Sequence, residues 1–145
     1  LIVTAMAYAL LPAARRNGCQ LFTSDMKVRL EIDDQTLFYY PDLQVSCDPE
    51  DRERYFRTRP CLIVEVLSEG TERIDRREKL LAYQTLPSLQ EYLLVAQDER
   101  LVTVYRRRSH WRAEYASDGA IHLDCLDDVL ALDAIYADVD LEPPG

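Results

Sequence analysis

Two carboxylates stand in surroundings that do not favour a charge. Glu65 sits inside the apolar run Pro60-Cys61-Leu62-Ile63-Val64-Glu65-Val66-Leu67-Ser68, and Asp42 follows Pro41 in the run Tyr40-Pro41-Asp42-Leu43-Gln44-Val45. A strand so rich in Leu, Ile and Val reads as covered on both faces, so an ionisable group within it loses hydration and needs a partner, commonly a metal or a cation. Two carboxylates on neighbouring strands can share one divalent ion. Magnesium prefers oxygen ligands and keeps several of its waters, so Asp42, Glu65 and the Val66 carbonyl suffice as a donor set, with Mn²⁺ as a substitute. Such a centre suits phosphodiester hydrolysis, which needs an activated water and neutralisation of the charge that develops on phosphate and leaving oxygen.

The elements that must position these acids can be read from pattern and punctuation. Leu1 to Arg16 reads as a helix with Ile2, Ala5, Met6, Ala9, Leu10 and Ala13 on one face, ended by Asn17-Gly18. Asp25 to Ile32 alternates, with Met26, Val28, Leu30 and Ile32 opposite Asp25, Lys27, Arg29 and Glu31, as a strand with one buried face does. The tetrad Asp33-Asp34-Gln35-Thr36 predicts a turn, and Leu37 to Cys47 a single returning strand, with Pro41 marking an edge or a bulge. On that strand Asp42, Gln44 and Ser46 share the face away from Leu43, Val45 and Cys47. The charged segment Asp48 to Arg59 reads as a solvated connection. After the strand that carries Glu65, Ser68 or Thr71 offers an N-cap for a helix from Thr71 to Leu86, stopped by Pro87. Leu89 to Val95 is the next buried strand, and strand, helix, strand implies a parallel crossover. Leu101 to Tyr105, Trp111 to Tyr115 and Ile121 to Leu123 add strands, and Asp133 to Ala137 a short helix. The class is mixed α/β, with a sheet of about five to seven strands and helices packed on it.

Composition narrows the partners. The chain of 145 residues, 48% apolar and 30% charged, has the length and make-up of one globular domain, with no run long enough to span a bilayer. Its net charge of -9 is uneven: all 17 basic residues lie before residue 113, balanced there by 17 acids, and nine acids follow without a cation. The total argues against a strong non-specific grip on nucleic acid, while a local basic face stays open. Arg106-Arg107-Arg108 with Trp111 is a basic hairpin tip, more often solvated than a DNA contact. Cys19, Cys47, Cys61 and Cys125 show no CxxC pairing. They read as free thiols of a cytoplasmic protein, ahead of disulfides or a zinc site.

The order Pro41-Asp42, a spacer of 22 residues, then Glu65 in an apolar strand resembles the outline of the PD-(D/E)xK nucleases. The segments Phe38 to Leu43, Pro60 to Ser68, Lys79 to Tyr83 and Leu86 to Tyr92, with Asn17-Gly18-Cys19 and Ser24 to Val28 upstream, resemble the Uma2 family of restriction-endonuclease-like proteins, abundant in cyanobacteria. The resemblance implies a restriction-endonuclease-like mixed β-sheet flanked by helices. It also implies a helix and hairpin of the family missing from the start of the chain, which opens on Leu1. The lysine of the generic pattern, two places after Glu65, is here Leu67. The resemblance implies that it has moved to the following helix, where Lys79 is the one lysine; the chain's other lysine is Lys27.

Asp75, four residues before Lys79, offers that lysine an ordinary helix ion pair instead. Tyr83 lies on the face of Lys79 one turn later, as a half-buried helix tyrosine or as a group that orients the same water or phosphate. Asp25 stands as an accessory acid on the polar face of its strand. His110 and His122 are isolated and make no metal spacing. The expected activity is magnesium-dependent cleavage of DNA by Asp42, Glu65 and Lys79, with a homodimer able to cut both strands. The rival is a catalytically inactive nuclease-fold protein serving as a DNA-binding or interaction module.

Overall fold

A computed structural model describes residues 1–67 and 73–141. Its elements are α1 (Ile2–Arg16), β1 (Gln20–Thr23), β2 (Lys27–Ile32), β3 (Gln35–Tyr39), β4 (Leu43–Ser46), β5 (Phe56–Arg57), β6 (Pro60–Val66), α2 (Arg73–Tyr83), β7 (Glu91–Val95), β8 (Val102–Arg106), β9 (Ala113–Ala116), β10 (Ala120–Leu123), β11 (Asp128–Ala131) and α3 (Leu132–Ile135). Six strands form the main sheet in the order β1-β4-β6-β7-β8-β9. All its pairings are antiparallel except β6 with β7, which α2 connects as a crossover. The fold is mixed α/β, as the sequence predicts. Both N-cap residues expected for α2 lie outside the described residues.

Two cores cover the two faces of the main sheet, and the alternation of β6 divides its side chains between them. Leu62 and Val64 join Ile2, Met6, Leu10, Ala13, Leu130, Leu132 and Ile135 on the side of α1 and α3. Ile63 joins Val28, Leu30, Tyr83, Leu86, Leu89 and Tyr92 on the side of α2. The first core is where helix periodicity was informative: the buried residues of α1 are Ile2, Met6, Leu10, Ala13 and Ala14. Arg15 and Arg16 in its last turn complement the helix dipole. Gly18, at φ +70, then takes the left-handed conformation that turns the chain from α1 into β1.

The long returning strand of the sequence reading is two strands in two sheets. Asp33 and Asp34 both have positive φ, the geometry of a two-residue hairpin turn, and pair β2 with β3 in a small sheet completed by β5. The chain then leaves that sheet at Tyr40-Pro41 and enters the main sheet as β4. Pro41 has no N–H for a ladder, so it suits this switch between sheets better than the interior of one strand. β2 begins at Lys27, so Asp25 lies in the exposed turn before it and not on the strand.

The charged segment after β4 is more than a solvated connection. Asp51 is buried and accepts bonds from the Thr58 and Arg59 backbone N–H groups and from the Ser46 and Thr58 hydroxyls. It ties the loop to β4 because a buried carboxylate is tolerated only when its acceptor sites are filled. The arginine triplet is likewise engaged. Arg106 pairs with buried Glu91, Arg107 donates to the Leu86 and Leu89 carbonyls and lies over the Trp111 ring, and Arg108 pairs with Asp124.

The four cysteines, expected as free thiols, form the disulfides Cys19–Cys47 and Cys61–Cys125. Strand pairing brings them together: Cys47 directly follows β4 and Cys61 lies at the start of its antiparallel neighbour β6. No spacing in the chain encodes that proximity, since connectivity follows from the fold alone.

Candidate active site

The register of β4 against β6 sets the site. Leu43 pairs with Val64 in an antiparallel ladder, so the preceding residue, Asp42, comes opposite Glu65 at the same end of the sheet. The Val66 backbone N–H donates to Asp42 Oδ2 at 2.7 Å, which fixes that carboxylate against the end of β6. Thr23 pairs with Leu43, so the turn that carries Asp25 lies toward this end as well. Asp25 itself is exposed, and no contact with Asp42 or Glu65 is seen among the described residues.

Glu65 is 8% exposed and lies among groups that answer its charge. The Tyr83 hydroxyl donates to Oε1 at 3.2 Å and the Tyr92 hydroxyl to Oε2 at 2.9 Å. Burial, reinforced by the Glu65 carboxylate, pushes both phenols above the ordinary tyrosine value. Both therefore remain protonated donors at neutral pH. Lys79 Nζ lies 3.5 Å from Glu65 Oε2, with its side chain 37% exposed. The Asp75 side chain, the rival partner of this lysine, lies outside the described residues. The other lysine, Lys27, is elsewhere, 4.9 Å over the Phe38 ring.

The structure thus brings Asp42, Glu65, Val66, Lys79 and Tyr83 to one place and leaves Asp25 on the surface. Leu67, where the generic pattern has its lysine, packs beside the core of the α2 side, and its carbonyl accepts from Gln97 Nε2 at 2.7 Å. Tyr92 is the residue that sequence reasoning passed over. It sits in an apolar strand and reads there as core, yet a buried phenol needs a partner, and a charged strand neighbour was the available signal. Parallel pairing of Ile63 with Tyr92 puts that hydroxyl within reach of Glu65, two residues further along β6.

Carboxylate chemistry leaves room for a cation. A carboxylate offers about four acceptor sites. Asp42 gives one of them to Val66, and Glu65 gives one on each oxygen to a tyrosine. The oxygen-only donor set is hard, which suits magnesium or manganese rather than a thiophilic ion. Asp42 and Val66 also line an open cavity of about 550 Å³ with Leu1, Val3, Gln97 and Val139, so Asp42 has access to solvent there. A wider groove of about 780 Å³ begins beyond Leu67 and Gln97 and runs past Arg76, Tyr105 and Tyr115.

A mixed sheet with one parallel crossover thus carries an acidic pair at the end of its central strands. The fold matches the crystal structure titled as that of "a putative nuclease belonging to DUF820" from Anabaena variabilis ATCC 29413, with a TM-score of 0.67, 16% identity, and coverage of 93% of this chain and 75% of that one. The family model Uma2, described as "Putative restriction endonuclease", matches residues 1–133, and the chain belongs to that family. Two Synechocystis sp. (strain ATCC 27184 / PCC 6803 / Kazusa) proteins are similar. The "Uncharacterized protein slr1290" is 36% identical over 122 residues, 81% of this chain, and the "Uncharacterized protein sll1609" is 40% identical over 81 residues, 54% of this chain. The matches span 63% and 45% of those relatives' own lengths.

Proposed function

We propose that this chain is the nuclease domain of a metal-dependent endonuclease that hydrolyses phosphodiester bonds of DNA. One observation carries the reading. Three separate elements, the sheet switch at Pro41-Asp42, strand β6 and helix α2, deliver Asp42, Glu65 and Lys79 to one point, with Lys79 3.5 Å from Glu65. In this reading Asp42, Glu65 and the Val66 carbonyl hold Mg²⁺ or Mn²⁺, which when bound neutralises phosphate charge and lowers the pKa of a coordinated water. Lys79 serves as the fixed positive charge for the phosphate, the role otherwise given to the lysine two places after the acid. Tyr83 and Tyr92 hold Glu65 in one orientation, since each donates to a different oxygen. The adjoining groove, which Asp98 and Glu99 also line, offers Arg76 for a phosphate and Tyr105 and Tyr115 as faces on which bases stack. Two such sites in a homodimer would cut both strands.

Two measurements test this. Wild type should cleave plasmid DNA in Mg²⁺ or Mn²⁺ and lose cleavage in EDTA, and Asp42→Ala and Glu65→Ala should be inactive. Independently of activity, Mn²⁺ should raise the melting temperature of wild type and of neither variant. Equal cleavage by all three proteins would overturn the assignment.

A further inference from the structure

The opposite end of the β4–β6 ladder carries a second constellation, built from sulfur. Cys47 Sγ, bonded to Cys19, lies 3.4 Å from Cys61 Sγ, which is bonded to Cys125. The sulfurs of Cys47, Cys61 and Cys125 all lie within 4.8 Å of one another. Here three sulfurs from three segments lie together, and the fourth, Cys19 Sγ, is bonded to one of them.

Each segment is held by its own local device. Gly18 turns Cys19 in from the end of α1, where the Cys19 N–H bonds to the Ala14 carbonyl at 2.8 Å. Cys47 follows β4 directly. Cys61 is a β-bulge: Val45 pairs with Leu62 and Ser46 with Pro60, so Cys61 has no opposite residue. A bulge redirects a side chain. Cys61 accordingly packs with the α1-side core, although by strict alternation it would share the face of Ile63 and Glu65. The turn bearing Cys125 is pinned from below by Glu91, which is fully buried and accepts from the Asp124 and Cys125 backbone N–H groups. Arg106 pairs with the same carboxylate at 3.2 Å.

The geometry points to a thiolate metal site: in the reduced protein Cys19, Cys47, Cys61 and Cys125 bind one Zn²⁺, and the two disulfides are the oxidised form of that site. With Zn–S bonds of about 2.3 Å, a tetrahedral tetrathiolate has sulfur–sulfur edges of about 3.8 Å. The 3.4 Å between Cys47 and Cys61 and the 4.8 Å limit within which Cys47, Cys61 and Cys125 all lie bracket that edge, and Cys19, freed from Cys47 on reduction, supplies the fourth thiolate. Thiolates are soft ligands that favour zinc over magnesium, so this site and the carboxylate site sort their ions by donor chemistry. The interconversion balances. A phosphine or dithiol reductant gives two electrons to each disulfide, the four sulfurs become thiols, and binding Zn²⁺ displaces their protons to solvent.

The test uses the full chain, reduced with a phosphine and desalted without oxygen. Expected are one Zn²⁺ retained per chain through gel filtration, none on the oxidised protein, and protection of all four thiols from maleimide alkylation by the bound zinc. Co²⁺ in its place should give a thiolate-to-cobalt charge-transfer band with the visible bands of tetrahedral coordination. Cys61→Ser and Cys125→Ser should each lose stoichiometric retention, and the cobalt spectrum of wild type reports the ligands even where a variant does not fold. If the reduced chain unfolds, zinc should restore its circular dichroism. Reduced wild type that retains no zinc, gives no thiolate band, or alkylates equally fast with and without zinc would overturn the site.

Discussion

The two ends of the β4–β6 ladder hold opposite chemistries on the same pair of strands. At one end Asp42 and Glu65 present oxygen, close to a cavity and to a lysine; at the other Cys47 and Cys61 present sulfur, packed beside a core and tied to α1 and to the turn between β10 and β11. Antiparallel pairing makes this economical, because the residue before one strand faces the end of its neighbour and the residue after it faces the beginning. The lesson is that a short ladder of well-buried Leu, Ile and Val keeps apart two clusters that differ in the hardness of their donor atoms and in their surroundings.

Changes at the two ends should therefore separate activity from stability. The largest effect is expected for Asp42→Asn and Glu65→Gln, which keep side-chain shape but remove the charge that would hold the proposed cation. Cleavage should fall to background while the circular dichroism spectrum is retained, and a fully active Glu65→Gln would place the chemistry elsewhere. At the sulfur end, reduction in the presence of a chelator should cost at least the roughly 2–5 kcal/mol of one lost disulfide in urea unfolding, since it opens both Cys19–Cys47 and the longer Cys61–Cys125 link. Unchanged stability would make both cross-links incidental. Lys79→Met sits between the extremes: a loss of about 10²–10³ in kcat is expected for one electrostatic donor, with the fold intact, and an undiminished rate would leave the lysine a partner of Glu65 only.

The smallest effect concerns the tyrosines. Tyr92→Phe removes a bond to a buried carboxylate and should destabilise the chain by about 1.5–3 kcal/mol, measurable by thermal unfolding. The pH dependence has a definite sign. Burial and Glu65 raise both phenols above their ordinary value of 10.0, so their contribution to stability is complete below pH 10.0 and is lost as pH rises beyond it. Wild type should lose stability more steeply than Tyr92→Phe on the alkaline side, and parallel curves would show that Tyr92 ionises as freely as an exposed phenol.

Much of the site was legible because charge and pattern disagreed there. Glu65 stands out in an apolar run, and Pro41 marks an edge or a bulge beside Asp42, though not the change of sheet that occurs there. The location of Lys79 beside Glu65 needed the crossover to be formed, since residues 14 apart on a strand and a helix carry no mutual periodicity. Tyr92 was hidden by its neighbours, because a phenol among Leu and Val looks like core until its hydroxyl partner is known. The hairpin of β2 and β3 was readable from alternation, but its separation from β4 into another sheet was not, as both strands keep the same period of two. The cysteine cluster was the least readable part, depending on a bulge at Cys61 and on a turn held by Glu91, and neither has a signature in spacing.

The topology of the main sheet also bears on how the chain reaches its fold. β7, β8 and β9 follow one another as a meander joined by short turns, as β2 and β3 do, whereas β6 and β7 pair across the longer connection that contains α2. Closing long loops costs entropy before any contact rewards it, so local hairpins form early and the parallel pair forms late. Truncating Leu93, in the middle of β7, should slow folding if the meander is the nucleus. Truncating Leu62 at the late β6–β7 seam should mainly speed unfolding. Stopped-flow chevrons of Leu93→Ala and Leu62→Ala would decide it, and an equal split between the two limbs in both variants would remove this order of assembly. In this order of assembly β4 and β6 set the acid pair, and the surroundings of Glu65 are completed last, when the crossover brings Lys79 and Tyr83 over it.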